Sequence, residues 1–280
     1  SGDNLLVGSH YDDDKGMDSG SAYLYRVNPT TGSYFETKIT ASDGMSGDNF
    51  GMSVSISGEN LLIGAYKDDD NGDDSGSAYL YRLDPATGNY VETKIIASDR
   101  AAYDEFGESV SISGDNLLIS AYKDDDSGGS SGSAYLYRID PATGSYVETK
   151  IIANDGTADD NFGESVSISG QNLIIGASGD DVNGSFSGSA YFYETSPFSA
   201  EKKILASDVA KDDLFGGYHS VSISGDNLLI GASQDDDNGS VSGSVYLYRI
   251  DPATGTYIET KVTASDGAIG DYFGMGVSIS

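Results

Sequence analysis

Apolar residues along this chain come in short clusters, and no stretch carries the three-and-four spacing of an amphipathic helix. One set reads "SVSIS" (53–57), "NLLIGA" (60–65), "SAYLYR" (77–82) and "YVETKII" (90–96). Residues alternate in character along the first and fourth members, as a strand with one buried face requires. The pattern therefore predicts four short strands. The first connection is the tight turn "SGEN". The third is "DPATG", where proline presets φ and glycine accepts the left-handed conformation that closes a hairpin. The second is a long acidic loop, "YKDDDNGDDSG".

The same set recurs through the whole chain. Phe-Gly stands at Phe50-Gly51, Phe106-Gly107, Phe162-Gly163, Phe215-Gly216 and Phe273-Gly274, at spacings of 56, 56, 53 and 58 residues. The short interval coincides with "SPFSAE" (196–201) replacing "DPATG", and the long one with extra residues at 217–219. A four-stranded antiparallel unit repeating every ~40–60 residues is the signature of a propeller blade. One blade cannot bury both faces, so blades must stack on neighbours. The expected fold is all-β: one propeller domain over residues 1–280, of five four-stranded antiparallel blades. The N- and C-terminal strands would close one blade, split between 1–43 and 267–280. The start at Ser1 and the stop inside a strand-like segment read as a mature fragment or a domain excised from a longer protein.

The stretch "FGMSVSISGENLLIGAYKDDDNGDDSGSAYLYR" resembles the FG-GAP repeat, the blade unit of integrin α-subunit propellers and of many surface proteins. Its naming elements are Phe50-Gly51 and Gly64-Ala65, repeated as Phe162-Gly163 with Gly176-Ala177 and Phe215-Gly216 with Gly231-Ala232. Ser120-Ala121 departs from Gly-Ala, and the split unit pairs Phe273-Gly274 with Gly8-Ser9. The resemblance implies a propeller, an extracellular or cell-surface setting, and calcium in Asp-rich loops. In integrin-type blades that loop joins strands one and two. Here that turn is short and holds only Asp3, Glu59, Asp115, Gln171 or Asp226, so the family's metal residues do not transfer by position.

The acids sit instead between strands two and three. The chain has 45 acidic and 15 basic residues and a net charge of −30, which disfavours nucleic-acid and anionic-membrane partners. Twenty tyrosines and nine phenylalanines separate it from disordered acidic chains. There is no cysteine, hence no disulfide framework or thiolate metal site. No apolar run approaches the ~18 residues of a membrane span.

A hard cation explains carboxylates crowded into one loop. Ca²⁺ takes about 6–8 oxygen ligands, and unneutralised neighbouring carboxylates repel one another. The expected ligands are Asp12, Asp14 and Asp18 in the first loop, then Asp68, Asp70 and Asp74, with Asn71-Gly72 turning the chain. Asp124 and Asp126 follow, then Asp180, then Asp235 and Asp237 with Asn238. Asp-x-Asp-x-Gly is one position short of the common Asp-x-Asp-x-Asp-Gly loop. A second acidic element precedes each Phe-Gly. Asp48, Asp104, Asp160, Asp213 and Asp271 lie two residues before Phe; Asp43, Asp99, Asp155, Asp208 and Asp266 lie seven before. This linker is expected to approach the acidic loop, where the two sets together would complete a site; for the nearer set turn capping is the favoured role. Solvated acidic turns, or adaptation to salt, read the same residues without metal.

Tyrosine pairs such as Tyr79/Tyr81 and Tyr135/Tyr137 recur on one strand face of every unit, which favours interblade packing over glycan stacking. His10 and His219 lack metal or triad spacing. Asn183 and Asn238 open glycosylation sequons. The expected function is a non-catalytic, Ca²⁺-binding extracellular module for cell adhesion or recognition of a protein or glycan. The alternatives are a structural subunit binding copies of itself in a filament or matrix and, behind it, a propeller-fold polysaccharide lyase or hydrolase. Neither nucleic-acid binding nor membrane insertion is expected.

Overall fold

The four uninterrupted repeats fold into the four strands their pattern predicts, and the split unit forms three, with residues 276–280 in no strand. The computed structural model describes residues 2, 4–195, 200–251, 254 and 256–280; Asp3 and most of the shortened turn at 196–201 lie outside the described residues. β1 (Leu5–Ser9), β2 (Ser21–Val27) and β3 (Tyr34–Ile39) form a three-stranded sheet. Four four-stranded sheets follow. They are β4 (Val54–Ser57) to β7 (Tyr90–Ile95), through β5 (Asn60–Ala65) and β6 (Ser77–Leu83); and β8 (Val110–Ser113) to β11 (Tyr146–Ile151), through β9 (Asn116–Ala121) and β10 (Ser133–Ile139). Next come β12 (Ser165–Ser169) to β15 (Lys202–Ile204), through β13 (Asn172–Ala177) and β14 (Ser189–Glu194); and β16 (Val221–Ser224) to β19 (Tyr257–Val262), through β17 (Asn227–Ala232) and β18 (Ser244–Ile250). Sequential strands neighbour one another in every sheet, the antiparallel meander of a propeller blade. Among the described residues no helix is long and apolar enough to cross a membrane. The fold is all-β and of the β-propeller class.

The chain divides into two compact units, residues 1–121 with 135–149 and residues 122–134 with 150–280. In the first unit, Ala22, Leu24 and Ile39 pack with Leu61, Ile63, Tyr79 and Tyr81, and Phe50 joins them. The other face of the second sheet gives Leu62, Leu80 and Ile95 to a cluster with Phe106, Leu117, Ile119, Tyr135 and Tyr137. β5 is thus buried on both faces, which is why "NLLIGA" is a continuous apolar run rather than an alternating one. The second unit repeats the arrangement with Ile174, Phe192 and Ile204 against Phe215, Leu228, Ile230, Tyr246 and Tyr248.

The Phe and Gly elements each have a physical reason. Phe50, Phe106, Phe162 and Phe215 are fully buried. Each meets the first tyrosine of its own third strand edge-on, with ring centroids 5.2–5.4 Å apart. The Gly51 N–H donates to Gly64 O at 2.8 Å within one blade. Across the blade boundary, a Cβ on Gly64 would lie 1.9 Å from the carbonyl oxygen of Gly107, itself at φ 98°.

The serines of "SVSIS" link successive first strands. Ser53, Ser55 and Ser57 accept the N–H groups of Val110, Ile112 and Gly114 at 3.0, 3.1 and 2.9 Å. Ser165, Ser167 and Ser169 do the same for Val221, Ile223 and Gly225. Ser222 takes the N–H of Ile279, so the C-terminal segment follows β16 as β16 follows β12.

Candidate functional site

The acidic loop folds around its first aspartate. The Asp68 Oδ1 accepts the Asp70 N–H at 3.1 Å, and its backbone oxygen accepts Gly76 N–H at 3.0 Å and Ser75 Oγ–H at 3.2 Å. Gly72, at φ 138°, makes the reversal. The loop thereby turns the Asp68 side chain inward, leaving the residue 3% exposed, while Asp69 and Asp70 face solvent.

Three further groups converge on that carboxylate. The Tyr79 hydroxyl lies 2.7 Å from Asp68 Oδ2 and 2.9 Å from Asp43 Oδ1. It has one proton to donate, so a second donor is needed. Lys94, from β7, supplies it: Nζ lies 2.9 Å from Asp43, 2.8 Å from Asp68 and 2.5 Å from Asp70. The linker aspartate seven before Phe thus meets the loop, as its spacing suggested. The lysine was not foreseen.

The node recurs. Lys261 lies 2.8, 2.7 and 2.5 Å from Asp208, Asp235 and Asp237, with the Tyr246 hydroxyl 2.8 and 2.9 Å from Asp208 and Asp235. Lys203 lies 2.7 Å from Asp155 and 2.5 Å from Asp180, with Tyr191 between them; Val182 stands where the third carboxylate would be. Lys150 pairs with Asp124 and Asp126 at 2.7 and 2.6 Å. Lys38 pairs with Asp12 at 2.9 Å and with Asp14, and Tyr23 donates to Asp12. Asp18 and Asp74 stand outside these lysine contacts. Both are in the left-handed region, at φ 55° and 48°, and their N–H groups are held by Asp13 and Asp69. Ser130, Phe186 and Val241 occupy the equivalent places with the same backbone, so the position selects conformation rather than charge.

Lys38 beside Asp12 holds that carboxyl down at about 2. Burial pushes Asp43, Asp155, Asp208 and Asp235 up, but the node lysine and tyrosine outweigh it and leave each below the usual carboxylate range. Among the aspartates two before Phe, burial pushes Asp48, Asp160 and Asp213 the other way. Asp48, Asp104, Asp160, Asp213 and Asp271 each accept the N–H three residues upstream at 2.6–2.7 Å, the capping role. Burial, with the charge of the loop aspartate, pushes Asp48 and Asp213 up to about 6.

Sequence reasoning also missed the glutamate of "ETK". Glu92 accepts Tyr81 O–H at 2.7 Å and the Ser42 N–H and hydroxyl, tying the second blade to the linker before it. Glu259 repeats this with Tyr248 and Ser207. The tyrosine pairs therefore pack between blades, as expected, but each hydroxyl also has an acidic partner. The available signal was register: in a chain with only 15 basic residues, a lysine falls at one strand-four position in every unit.

A family model described as the FG-GAP repeat matches residues 1–25, 34–81, 91–137, 147–193, 198–248 and 258–280, and its interruptions fall between the third and fourth strands. No curated protein matches the chain. With nearly all of its length matched in repeat register, the chain belongs to the FG-GAP repeat family.

Proposed function

We propose that this chain is a non-catalytic, calcium-binding extracellular propeller module for adhesion or for recognition of a protein or glycan. One observation carries the reading: at Lys94, Lys203 and Lys261, carboxylates from a linker and a loop converge on one point and outnumber the positive charge there. Around Lys94, three carboxylates face one ammonium. The donor set is all oxygen, which suits Ca²⁺ better than a softer metal. The Ser77 hydroxyl beside the loop is fully buried and has no hydrogen-bond partner, so a further oxygen is to hand. Asp43, Asp68 and Asp70, and their equivalents in the other nodes, would hold the ion, which would supply charge neutralisation and stiffen the loop. A feature repeated in every blade suits a structural role, since a catalytic site is usually single. The test is thermal unfolding in excess EGTA and then in millimolar Ca²⁺, with metal counted by elemental analysis. Several ions per chain and a large rise in Tm support the reading; no bound calcium and no shift remove the metal from it.

A filament or matrix subunit is the second reading. Its support is the edge strands β3, β7, β11 and β19, which expose Phe35, Val91, Val147 and Ile258 at one repeating position. Exposed apolar edge strands are templates for pairing with another copy. Concentration-dependent polymers in size-exclusion chromatography and electron microscopy would favour it.

A further inference from the structure

We propose that in each node the strand-four lysine and a divalent cation compete for one seat, so that Lys38, Lys94, Lys150, Lys203 and Lys261 are tethered counter-ions which metal displaces. This rests on the calcium reading above and adds the step by which calcium would enter.

The first support is the seat itself. Lys94 Nζ stands 2.5–2.9 Å from oxygens of Asp43, on the linker, and of Asp68 and Asp70, on the loop. Ca²⁺–oxygen distances run about 2.3–2.6 Å, so the cage would contract by only a few tenths of an ångström. The ammonium marks where a cation goes.

The second support is independent of the acids. Ser77, Ser133, Ser189 and Ser244 are fully buried, and each Oγ lacks a partner. Each opens the third strand directly after an acidic loop, two residues before the tyrosine whose hydroxyl joins a node or its linker aspartate. Alternation puts serine and tyrosine on the same face. Ser21, which holds the same place after the first loop, is hydrogen-bonded to the Asp12 carboxylate and shows that this position faces the node. The three ammonium protons of Lys94 are already spent on three carboxylates, which leaves none for the serine. A cation with about 6–8 ligand positions has room for that oxygen.

The third support is that lysine can leave. The Lys94 side chain is 21% exposed, its Nζ lies 5.4 Å from the centroid of the Tyr79 ring, and a four-carbon stem reaches solvent readily. Beside Lys203 a cavity of about 200 Å³, lined by Asp155, Asp160, Asp180 and Asp181, opens over the node. With two carboxylates on the lysine instead of the three at Lys94 and Lys261, that node would be a weaker seat than those.

The experiment uses the whole chain and Ca²⁺ alone as probe, comparing the wild type with Lys94→Met, Lys261→Met and Lys94→Arg. Each protein is stripped with EGTA and titrated by calorimetry. The expected result is tenfold or greater tightening at one site in each Met variant and none in the Arg variant. Wild type and Met variants binding with equal affinity would overturn the competition and leave the calcium reading intact. No binding by any of them would remove both. Binding by the Met variants alone would uphold the shared seat and remove calcium from the native function. If the Met variants do not fold, the wild type decides. In ¹³C-labelled wild type, the Cε resonances of the five node lysines should move toward solvent-like positions as Ca²⁺ is added, and bound calcium with unmoved resonances would overturn the proposal.

Discussion

The carbonyl oxygen of Gly107 stands where a side chain on Gly64 would begin. A Cβ there would come within 1.9 Å of that oxygen, and both groups are backbone, so neither can swing aside. The Gly of Gly-Ala in one blade is thus fixed by the Gly of Phe-Gly in the next. Gly64→Ala should cost about 3 kcal/mol, the upper range for overpacking, read as a fall in the urea midpoint. Gly58→Ala is the control: it has open space but a left-handed φ of 61°, so about 1–2 kcal/mol of conformational cost is expected. Equal losses for the two would show that the blade approach is looser than this contact implies.

Tyr79 joins the packing of the blades to the acidic nodes. Its ring lies edge-on to Phe50 at 5.4 Å, and its hydroxyl reaches Asp68 and Asp43. Tyr79→Phe keeps the ring and deletes the donor, leaving the buried Asp68 carboxylate short of one bond. The expected loss is about 1–3 kcal/mol, the cost of an unsatisfied buried polar group. Tyr25→Phe removes an exposed hydroxyl bonded to Glu36 and should stay within about 0.5 kcal/mol. The pair is compared by denaturant unfolding in EGTA, so that metal does not mask the difference.

The strands were legible in the sequence because β periodicity and turn chemistry are local. The pattern placed the second repeat at 53–57, 60–65, 77–82 and 90–96, and β4 to β7 differ from those bounds by one residue at most. The meeting of Asp43 with Asp68 was legible because both recur in register. Lys94 was not, because its partners lie 24 to 51 residues away and no local rule joins them. In "YVETKII" the Glu and Lys read as the wet face of an alternating strand. That face looks onto the neighbouring blade, where Glu92 takes Ser42 and Lys94 takes Asp43. Scarce charge recurring at one register position was the usable signal.

Asp48 shows how a buried carboxylate can be an acceptor first and a charge second. Its Oδ2 takes the Met45 N–H at 2.7 Å, and the residue is 5% exposed. Asn keeps the acceptor and removes the charge that burial and Asp68 disfavour. Asp48→Asn should therefore leave stability unchanged or raise it by about 1 kcal/mol at pH 7, whereas Asp48→Ala should lose about 1 kcal/mol with the cap. An Asn variant as damaging as Ala would mean that the charge itself is needed.

The same groups set the pH dependence, and the two sets of aspartates pull in opposite directions. Asp48 and Asp213 are raised from 3.8 to about 6. Between those values the folded chain holds protons that the unfolded chain has released, so stability falls as pH rises from about 4 to about 6. Asp12 is lowered to about 2, and Asp43, Asp155, Asp208 and Asp235 are also lowered. Their contribution is complete above about 4 and is lost as pH falls toward 2. Tm in EGTA should thus peak near pH 4–5 and decline on both sides. Self-repulsion of a chain with net charge −30 slopes the same way on the alkaline side. The double variant Asp48→Asn/Asp213→Asn separates the two effects, since it removes only two of 45 acidic residues. It should flatten the decline between about pH 4 and 6 and leave the acid limb unchanged. An alkaline decline unchanged in the double variant but abolished by 0.5 M NaCl would assign it to long-range repulsion instead.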